Sequence, residues 1–370
     1  MKYIFFAAAF ALALAACSDP QPRVVEAPVV QMSQQSRAEM TRVNAARITV
    51  PMPETLVEPV AETPTAAVPG DTNVAAAPVY DAGLVRVQTL LDRVHFSPGV
   101  IDGQDGENVR KAISAYQRAH DLPEDGRATD ELLQHLERAD GAPALTTYVL
   151  TQADINGPFA SVPSGLEAQS ELDALGFQSP AEALAERFHM DEDLLRTLNP
   201  GVDFTRPNIE LIVANAGGEL SGQVARIDID KEALTLRAYD ANDQMLAFYP
   251  VTIGAGNTPR GELEVTAIAF DPTYNYDADA LPAFNDDSGR TFTIAPGPNN
   301  PVGLVWIALN APSYGIHGTP NPELISKSSS RGCVRLTNWD AVELGRATQR
   351  GIEVRFHETT TEARRATESG

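Results

Sequence analysis

The sequence predicts a multidomain protein in which a small three-helix module and an α+β segment precede a mainly β domain built on a mixed sandwich or barrel-like sheet. Apolar residues first repeat at helical spacing, then a strand, helix, helix, strand order follows, and the C-terminal part alternates apolar and polar residues as strands do. That part lacks the strand–helix–strand spacing of a doubly wound sheet. The 27 prolines and 26 glycines are unevenly spread over 370 residues, which indicates linkers between modules.

The charge balance limits the kinds of partner. The formal net charge is −22, and recognition of nucleic-acid phosphates relies on clustered Lys and Arg, so no nucleic acid partner is expected. An acidic surface mainly favours solubility. The 43% hydrophobic content is sufficient for ordinary cores.

Residues 1–17 have the layout of an export signal, because Lys2 is followed by an apolar run that ends in small side chains. The run is too short to span a bilayer comfortably. Its end, Leu14-Ala15-Ala16-Cys17, resembles the lipobox of bacterial lipoproteins, which implies lipidation of Cys17; the alternative is an ordinary signal peptide with a chance cysteine. Ser18 follows in place of Asp, and by resemblance to Gram-negative sorting this favours an outer-membrane lipid anchor in the periplasm. Two or more acyl chains anchor a protein stably.

Residues 18–80 are predicted to be a disordered tether. They are rich in proline, alanine, valine and threonine and contain almost no aromatic residues, so they bury too little surface to offset the entropy of ordering. The pattern allows one short helix within residues 32–48. The tail 358–370 is also predicted to be disordered.

Three helices separated by Pro-Gly and Asp-Gly turns are predicted over residues 81–140. Their apolar faces comprise Leu84, Val87, Leu90, Leu91 and Val94, then Val109, Ala112, Ile113 and Tyr116, then Leu132, Leu133 and Leu136. Residues 87–129, which begin VQTLLDRVHFSPGVIDGQDGEN, resemble the peptidoglycan-binding-domain-like family, and this implies peptidoglycan as a partner. The aspartates of this segment lack EF-hand spacing, and His95, His120 and His135 lack the grouping of a zinc site.

A strand, two short helices and a second strand are predicted over residues 145–216. This order, together with ERFHMDEDLLRTLNP at 186–200, resembles a LysM carbohydrate-binding domain and implies contact with glycan. The resemblance is interrupted by an insertion at 153–178, and the closing strand lacks the usual proline. A second interpretation therefore stays open, in which this segment only packs against the following domain.

Residues 223–357 are predicted to be the β domain, with apolar alternation in several strand-length runs. Insertions at 270–301 and 319–329 interrupt the pattern. After the second insertion, Thr337-Asn338-Trp339-Asp340 has the form of a capping box and predicts a helix that ends near Gly351. His357, in the last strand, is predicted to be structural.

His317 and Cys333 lie sixteen positions apart in a glycine- and serine-rich stretch and are candidates for an acyl-transfer pair. If Cys17 is lipidated, the chain's other cysteine, Cys333, has no disulfide partner in an oxidising compartment. A free thiol in an oxidising compartment is expected to be functional, and the alternative is a buried, inert cysteine. A free thiol is mostly protonated at neutral pH. His317 can activate it by forming a thiolate–imidazolium pair and can later protonate a leaving amine.

The segments TPRGELEV, YGIHGT and SSSRGCVRL, in this order, resemble the L,D-transpeptidase catalytic domain of the YkuD type across residues 223–357. The resemblance implies Cys333 as the nucleophile and His317 as the base and acid. It also implies that the backbone carbonyl of Gly318 orients His317, which fits the lack of an obvious acidic third member. Many relatives have a second histidine where this chain has Arg331.

The residues around Cys333 are predicted to support catalysis. Gly332 permits unusual dihedral angles, so the backbone N–H groups of Arg331, Gly332 and Cys333 can form an oxyanion hole. Arg335 supports the loop or binds a substrate carboxylate. Ser330 is predicted to hydrogen-bond within the loop.

The resemblance implies acyl transfer on peptidoglycan stem peptides. Cys333 attacks the carbonyl of the third residue, D-alanine leaves, and an amine resolves the thioester to give a 3→3 crosslink, D-amino-acid exchange or attachment of a wall-attached protein. Neither a metal nor an organic cofactor is implied. Two alternatives stay open: a hydrolytic amidase or endopeptidase of the same fold, and a non-catalytic peptidoglycan-binding lipoprotein.

Overall fold

The computed structural model describes residues 28–48, 80–254, 259, 261–277, 290–328 and 332–357. These residues form three units whose cores share side chains with their neighbours. The predicted signal segment and tail, and the parts of the predicted tether at 18–27 and 49–79, lie outside the described residues. Across the ranges that are described, no helix is both long and apolar enough to cross a membrane.

Four helices precede the first strand: α1 Gln34–Asn44, α2 Ala82–Arg93, α3 Glu107–Ala119 and α4 Asp130–Ala139. The last three form the helical unit predicted over residues 81–140. The side chains of Asp81 and Thr129 accept backbone N–H bonds and so cap α2 and α4. The apolar faces of these helices pack around the fully buried Tyr116, and Phe248 from a later strand enters the same core.

Residues 28–48 show that the prediction of a disordered tether over 18–80 is wrong for this part of it. The backbone N–H of Val30 donates to the carbonyl of Asn208 at 2.7 Å. Asn44, at the end of α1, forms two side-chain hydrogen bonds with the backbone of Leu145, at 2.8 and 3.0 Å. Val43 is fully buried. A few apolar side chains cannot build a core, but they suffice to dock a helix on one that already exists.

The second unit has the predicted order of strand, helices and strand. Its elements are β1 Leu145–Val149, α5 Gln152–Ile155, α6 Leu166–Ser170, α7 Pro180–Arg187, α8 Glu192–Leu198 and β2 Glu210–Ala214. The strands β1 and β2 pair antiparallel, and α7 and α8 pack against them. Helix α6 and most of α5 lie within the insertion at 153–178.

The third unit contains β3 Arg226–Asp230, β4 Thr235–Tyr239, β5 Met245–Pro250, β6 Thr252–Ile253, β7 Gly261–Phe270, β8 Tyr274–Asp277, β9 Thr291–Ile294, β10 Val305–Leu309, β11 Gly315–His317, β12 Val334–Arg335, α9 Asn338–Ala347 and β13 Glu353–His357. A short 3-10 helix, Pro322–Leu324, lies in the insertion at 319–329.

Nine of these strands form one mixed sheet in the order β5-β4-β3-β13-β7-β10-β11-β12-β6. The pairs β13–β3 and β11–β12 are parallel and the others are antiparallel. The two ends of the sheet, β5 and β6, are separated in sequence only by Val251, so the sheet is nearly closed. This confirms the predicted fold class of a helical module followed by a mainly β domain with a mixed sheet.

The start of α9 differs from the predicted capping box. The hydroxyl of Thr337 accepts from the backbone N–H of Asp340 at 3.2 Å, as a cap does. The carboxyl group of Asp340 instead accepts from the hydroxyl of Ser97, in the helical unit, at 2.9 Å. The side chain of Asp340 also hydrogen-bonds with the side chain of Thr337, so it joins two units as well as the start of its own helix, which ends at Ala347.

Candidate active site

His317 and Cys333 belong to neighbouring strands of the sheet. His317 ends β11 and Cys333 immediately precedes β12; in this parallel pair Ile316 lies opposite Val334 and His317 opposite Arg335. Ile316 and Val334 are fully buried in the core. Because side chains alternate between the faces of a strand, His317, Cys333 and Arg335 share the other face.

The imidazole of His317 is held by a backbone acceptor. Its Nδ1 lies 2.6 Å from the carbonyl oxygen of Gly318, and His317 is 4% exposed. A carbonyl oxygen can only accept, so Nδ1 carries the proton, and Nε2 of the neutral ring keeps a lone pair for a second partner. The indole of Trp306, opposite His317 on β10, stacks on the imidazole with ring centroids 5.5 Å apart.

The thiol of Cys333 is half-buried between backbone groups. Its sulfur lies 3.7 Å from the carbonyl oxygen of Ser313, and the backbone N–H of Gly315 also hydrogen-bonds to it. Gly332, just before the thiol, has a φ of +152°, a conformation that residues with a side chain rarely adopt. The turn that presents Cys333 therefore requires glycine at this position.

Burial determines the protonation state of the pair. Desolvation, helped by the positive charge of Arg335, lowers the pKa of His317 to about 4, although the bond to Gly318 acts in the opposite direction. Desolvation also raises the pKa of the Cys333 thiol, against the effects of Gly315 and Arg335. Both shifts favour a neutral thiol and a neutral imidazole over the thiolate–imidazolium pair expected from the sequence.

Among the residues that the structure describes, no group of three or more His, Cys, Asp or Glu side chains could hold a metal ion. His120 and His135 belong instead to an aromatic cluster around Tyr116. His95 and His189 bond to the carboxylates of Glu343 and Asp92 at 2.7 and 3.0 Å.

Residues 224–355 match the family model described as the L,D-transpeptidase catalytic domain, YkuD. The matched region, residues 224–355, is named the YkuD domain after this model. Residues 81–136 match a second family model, described as "Putative peptidoglycan binding domain". The first match includes His317, Cys333 and the sheet as far as Arg355, and the second includes α2, α3 and α4 as far as Leu136.

Curated relatives and a solved structure carry the name L,D-transpeptidase. "Putative L,D-transpeptidase YkuD" of Bacillus licheniformis is 28% identical over 176 residues, which are 47% of this chain and 90% of that protein. "Putative L,D-transpeptidase YqjB" of Bacillus subtilis is 36% identical over 92 residues, 24% of this chain and 44% of that protein. An L,D-transpeptidase structure from Xylanimonas cellulosilytica aligns over 78% of this chain and 100% of that chain at 13% identity and a TM-score of 0.31.

The YkuD domain brings together some of the predicted site residues. His317, Gly318, Gly332, Cys333 and Arg335 lie in or next to the paired strands β11 and β12. The predicted loop residues Ser330 and Arg331 lie outside the described residues, as does the predicted lipidation site Cys17. The oxyanion hole therefore stays a prediction.

Two side chains of the YkuD domain next to the site were missed in the sequence. Trp306 lies in a part of the chain where the pattern predicts only strands, yet its ring covers His317. Asn338 was assigned only to a helix start, yet its side chain packs against Gly318. Alternation could have placed Trp306 on one face of β10, but no local signal indicates which residue a helix-start asparagine contacts.

Proposed function

We propose that this protein is a cysteine-dependent L,D-transpeptidase that acts on peptidoglycan stem peptides. The observation that supports this most directly is the placement of His317 and Cys333 on one face of adjacent strands, with Nδ1 of His317 bonded to Gly318. The family of residues 224–355 and the second family model, over residues 81–136, are consistent with a peptidoglycan substrate.

In the first half-reaction the Cys333 sulfur attacks the carbonyl carbon of the third stem residue while the thiol proton passes to Nε2 of His317. Because both groups are neutral at rest, proton transfer accompanies attack. The backbone N–H groups of Gly332 and Cys333 would stabilise the oxyanion. Collapse of the tetrahedral intermediate breaks the amide bond, and His317 returns the proton to the departing amine of D-alanine.

In the second half-reaction an amine of the acceptor attacks the thioester, gives a proton to His317 and releases the thiol. Depending on the acceptor, the product is a 3→3 crosslink, an exchanged D-amino acid or an attached protein lysine. The positive charge of Arg335 beside both catalytic groups suits a substrate carboxylate.

The units before the YkuD domain would keep the enzyme at the wall. The helical unit would bind peptidoglycan, and the packing of α7 and α8 against the paired strands β1 and β2 supports a LysM-like role of the second unit in glycan contact. The sequence Leu14-Ala15-Ala16-Cys17 supports a lipid anchor on Cys17, with the enzyme in the periplasm at the outer membrane of a Gram-negative bacterium.

Disaccharide tetrapeptides incubated with the full-length chain and followed by mass spectrometry test the proposal. We expect release of D-alanine, an acyl-enzyme and crosslinked dimers. Cys333→Ala should abolish all three products, because the acyl group has no other acceptor atom. Cys17→Ala, the matched change at the other cysteine, should retain them.

The same experiment separates the alternatives. Loss of D-alanine without dimers would favour hydrolysis, with water as the acceptor. Unchanged turnover by the Cys333→Ala variant would contradict the mechanism.

A further inference from the structure

Asn338, the first residue of α9, connects three parts of the molecule. It is 1% exposed. Its Oδ1 accepts from the backbone N–H of Leu304 at 3.1 Å, and its Nδ2 donates to the carbonyl of Pro298 at 3.0 Å and to Oε1 of Glu186 at 2.9 Å. Both amide protons and the amide oxygen are therefore engaged, which fixes the orientation of the carboxamide.

The carboxamide of Asn338 lies directly against the peptide that orients His317. A Cβ atom on Gly318 would lie 2.2 Å from Oδ1 of Asn338, and one on Gly303 would lie 2.0 Å from the same oxygen. The absence of both side chains lets the amide pack against the Gly318 backbone, whose carbonyl accepts from His317. A shift of Asn338 would open space behind this carbonyl.

Glu186 comes from a different unit. It lies on α7, outside the YkuD domain, and it is the side-chain partner of Asn338 at the contact between the two units. Desolvation raises the pKa of Glu186 to about 7, against the hydrogen bond from Asn338, while the nearby Glu182 raises it and His189 lowers it. Glu186 offers an acceptor oxygen to Asn338 in either protonation state.

Further hydrogen bonds beside this contact join α7, and residues 175–176 before it, to residues 296–299 of the YkuD domain. The side chain of Asn299 donates to Oε1 of Glu182 at 2.7 Å and to the carbonyl of Gly176 at 2.9 Å. The backbone N–H of Leu175 donates to the carbonyl of Pro296 at 2.9 Å. The contact between Glu186 and Asn338 is thus made inside an ordered interface.

We propose that Glu186 is a positioning residue for His317, acting through Asn338 and the Gly318 peptide, so that the second unit completes the active site of the YkuD domain. The proposal rests on the proposed role of His317 as the base. Glu186 itself does not touch the reacting atoms. Its effect is to keep the carbonyl of Gly318 where Nδ1 of His317 can donate to it, which leaves Nε2 unprotonated and able to accept the thiol proton.

Turnover kinetics of full-length Glu186 variants test this role. Glu186→Ala removes the acceptor for Asn338 and should lower kcat by roughly tenfold or more, because small misplacements of a catalytic base are costly. KM should stay within about twofold, since no substrate contact is lost. Glu186→Gln retains an acceptor oxygen and should recover most of kcat. Glu192→Ala, which removes a glutamate whose ion pair with Arg196 is on the surface of the same unit, is the matched control.

A second measurement does not depend on turnover. The ring nitrogen NMR signals of His317 should report an Nδ1-protonated neutral imidazole in the wild type, and a mixture of tautomers in Glu186→Ala. The pH dependence of Cys333 alkylation by iodoacetamide should also differ between the wild type and Glu186→Ala. If the wild type did not act on tetrapeptides, the proposed function would be wrong. The His317 NMR signals and the alkylation rates would still test the role of Glu186.

A merely structural role gives a different result. In that case Glu186→Ala would lower the melting temperature but leave kcat, the His317 tautomer and the alkylation profile of the folded protein as in the wild type. That outcome would overturn the proposal.

Discussion

The space around the catalytic pair is defined by a glycine. Gly315 on β11 has its backbone N–H on the Cys333 sulfur, and a Cβ atom there would lie 2.8 Å from the indole of Trp306 and 2.7 Å from the carbonyl oxygen of Ile307. Both distances are well inside van der Waals contact. Since the same indole stacks on His317, the two catalytic side chains and Gly315 form one packed layer.

Gly315→Ala should therefore impair the site. The methyl group has to displace the indole or move β11, and either shift disturbs His317 or the N–H bond to Cys333. We expect turnover of tetrapeptides to fall by roughly tenfold or more, measured beside the rate of Cys333 alkylation. Gly165→Ala, where a Cβ atom meets nothing within 4 Å, serves as the control and should behave as the wild type. Equal turnover in Gly315→Ala and Gly165→Ala would show that Trp306 and β11 accommodate the methyl group without disturbing His317 or Cys333.

Single residues of the site were predictable where a motif carries them. His317, Gly318 and Cys333 lie in short segments typical of the family, so their roles could be inferred before their positions were known. Glu186 could not be found in this way, because it is 152 positions from Asn338 and its proposed role depends on a contact between units. Local pattern carries no information about such contacts.

At the scale of elements, periodicity predicted which helices and strands form but not the surfaces on which they pack. The helices α2 to α4 and the strands of the sheet follow from apolar spacing of 3.6 and 2. Helix α1 was expected at most as a short helix in a disordered segment, and it is instead fixed on the second unit through Val43 and Asn44. Its ordering depends on a surface supplied by residues far along the chain.

Strand β5 joins the helical unit to the sheet. The backbone N–H of Phe248 donates to the carbonyl of His95, and the N–H of Ser97 donates to the carbonyl of Phe248, both at 2.9 Å. The Phe248 ring, 1% exposed, packs in the core of the helical unit. The sheet therefore supplies a core side chain that α2 to α4 lack.

Phe248→Ala should destabilise the protein by about 3–5 kcal/mol, the usual cost of removing a buried phenylalanine ring. The free energy of unfolding can be measured by urea denaturation with the helical and sheet signals followed separately. Because the ring belongs to both units, we expect the two signals to change together. Phe270→Ala, at a position 47% exposed, is the control and should cost much less. An unaffected helical unit would contradict a shared core.

At the scale of the whole molecule, the three units meet around a polar cavity of about 430 Å³. Asp92 and His95 come from the helical unit, His189 from the second unit, and Asp340 and Glu343 from α9 of the YkuD domain. The imidazole of His189 stacks on Trp339 with ring centroids 5.0 Å apart. With side chains also shared between cores, the helical unit and the second unit are held in a fixed orientation to His317 and Cys333 rather than joined to the YkuD domain by a flexible linker.

In the junction of the three units around this cavity, the pKa values of His95, His189 and Asp340 are all raised. Burial acts against a charge on His95 and His189, but the carboxylates of Glu343 and Asp92 raise both pKa values above the ordinary one. Burial and the negative charge of Asp92 raise the pKa of Asp340 well above its usual range. The folded state thus binds more protons at these groups than the unfolded state does. Their stabilisation is present at low pH and is lost as pH rises, from about 6.5 upward for the histidines and from about 3.8 upward for Asp340.

Asp340→Asn should reduce this loss of stability at alkaline pH. Asparagine keeps an acceptor oxygen for Ser97 but cannot ionise in the junction. We expect the melting temperature of the wild type to fall between pH 6 and pH 9 by more than that of the variant, although His189 also loses a favourable neighbouring charge. Asp203→Asn, at an exposed aspartate whose carboxylate accepts from the backbone N–H and the hydroxyl of Thr205, should follow the wild type. If the melting temperatures of the wild type and Asp340→Asn fell equally with pH, ionisation of Asp340 would not contribute to the loss of stability.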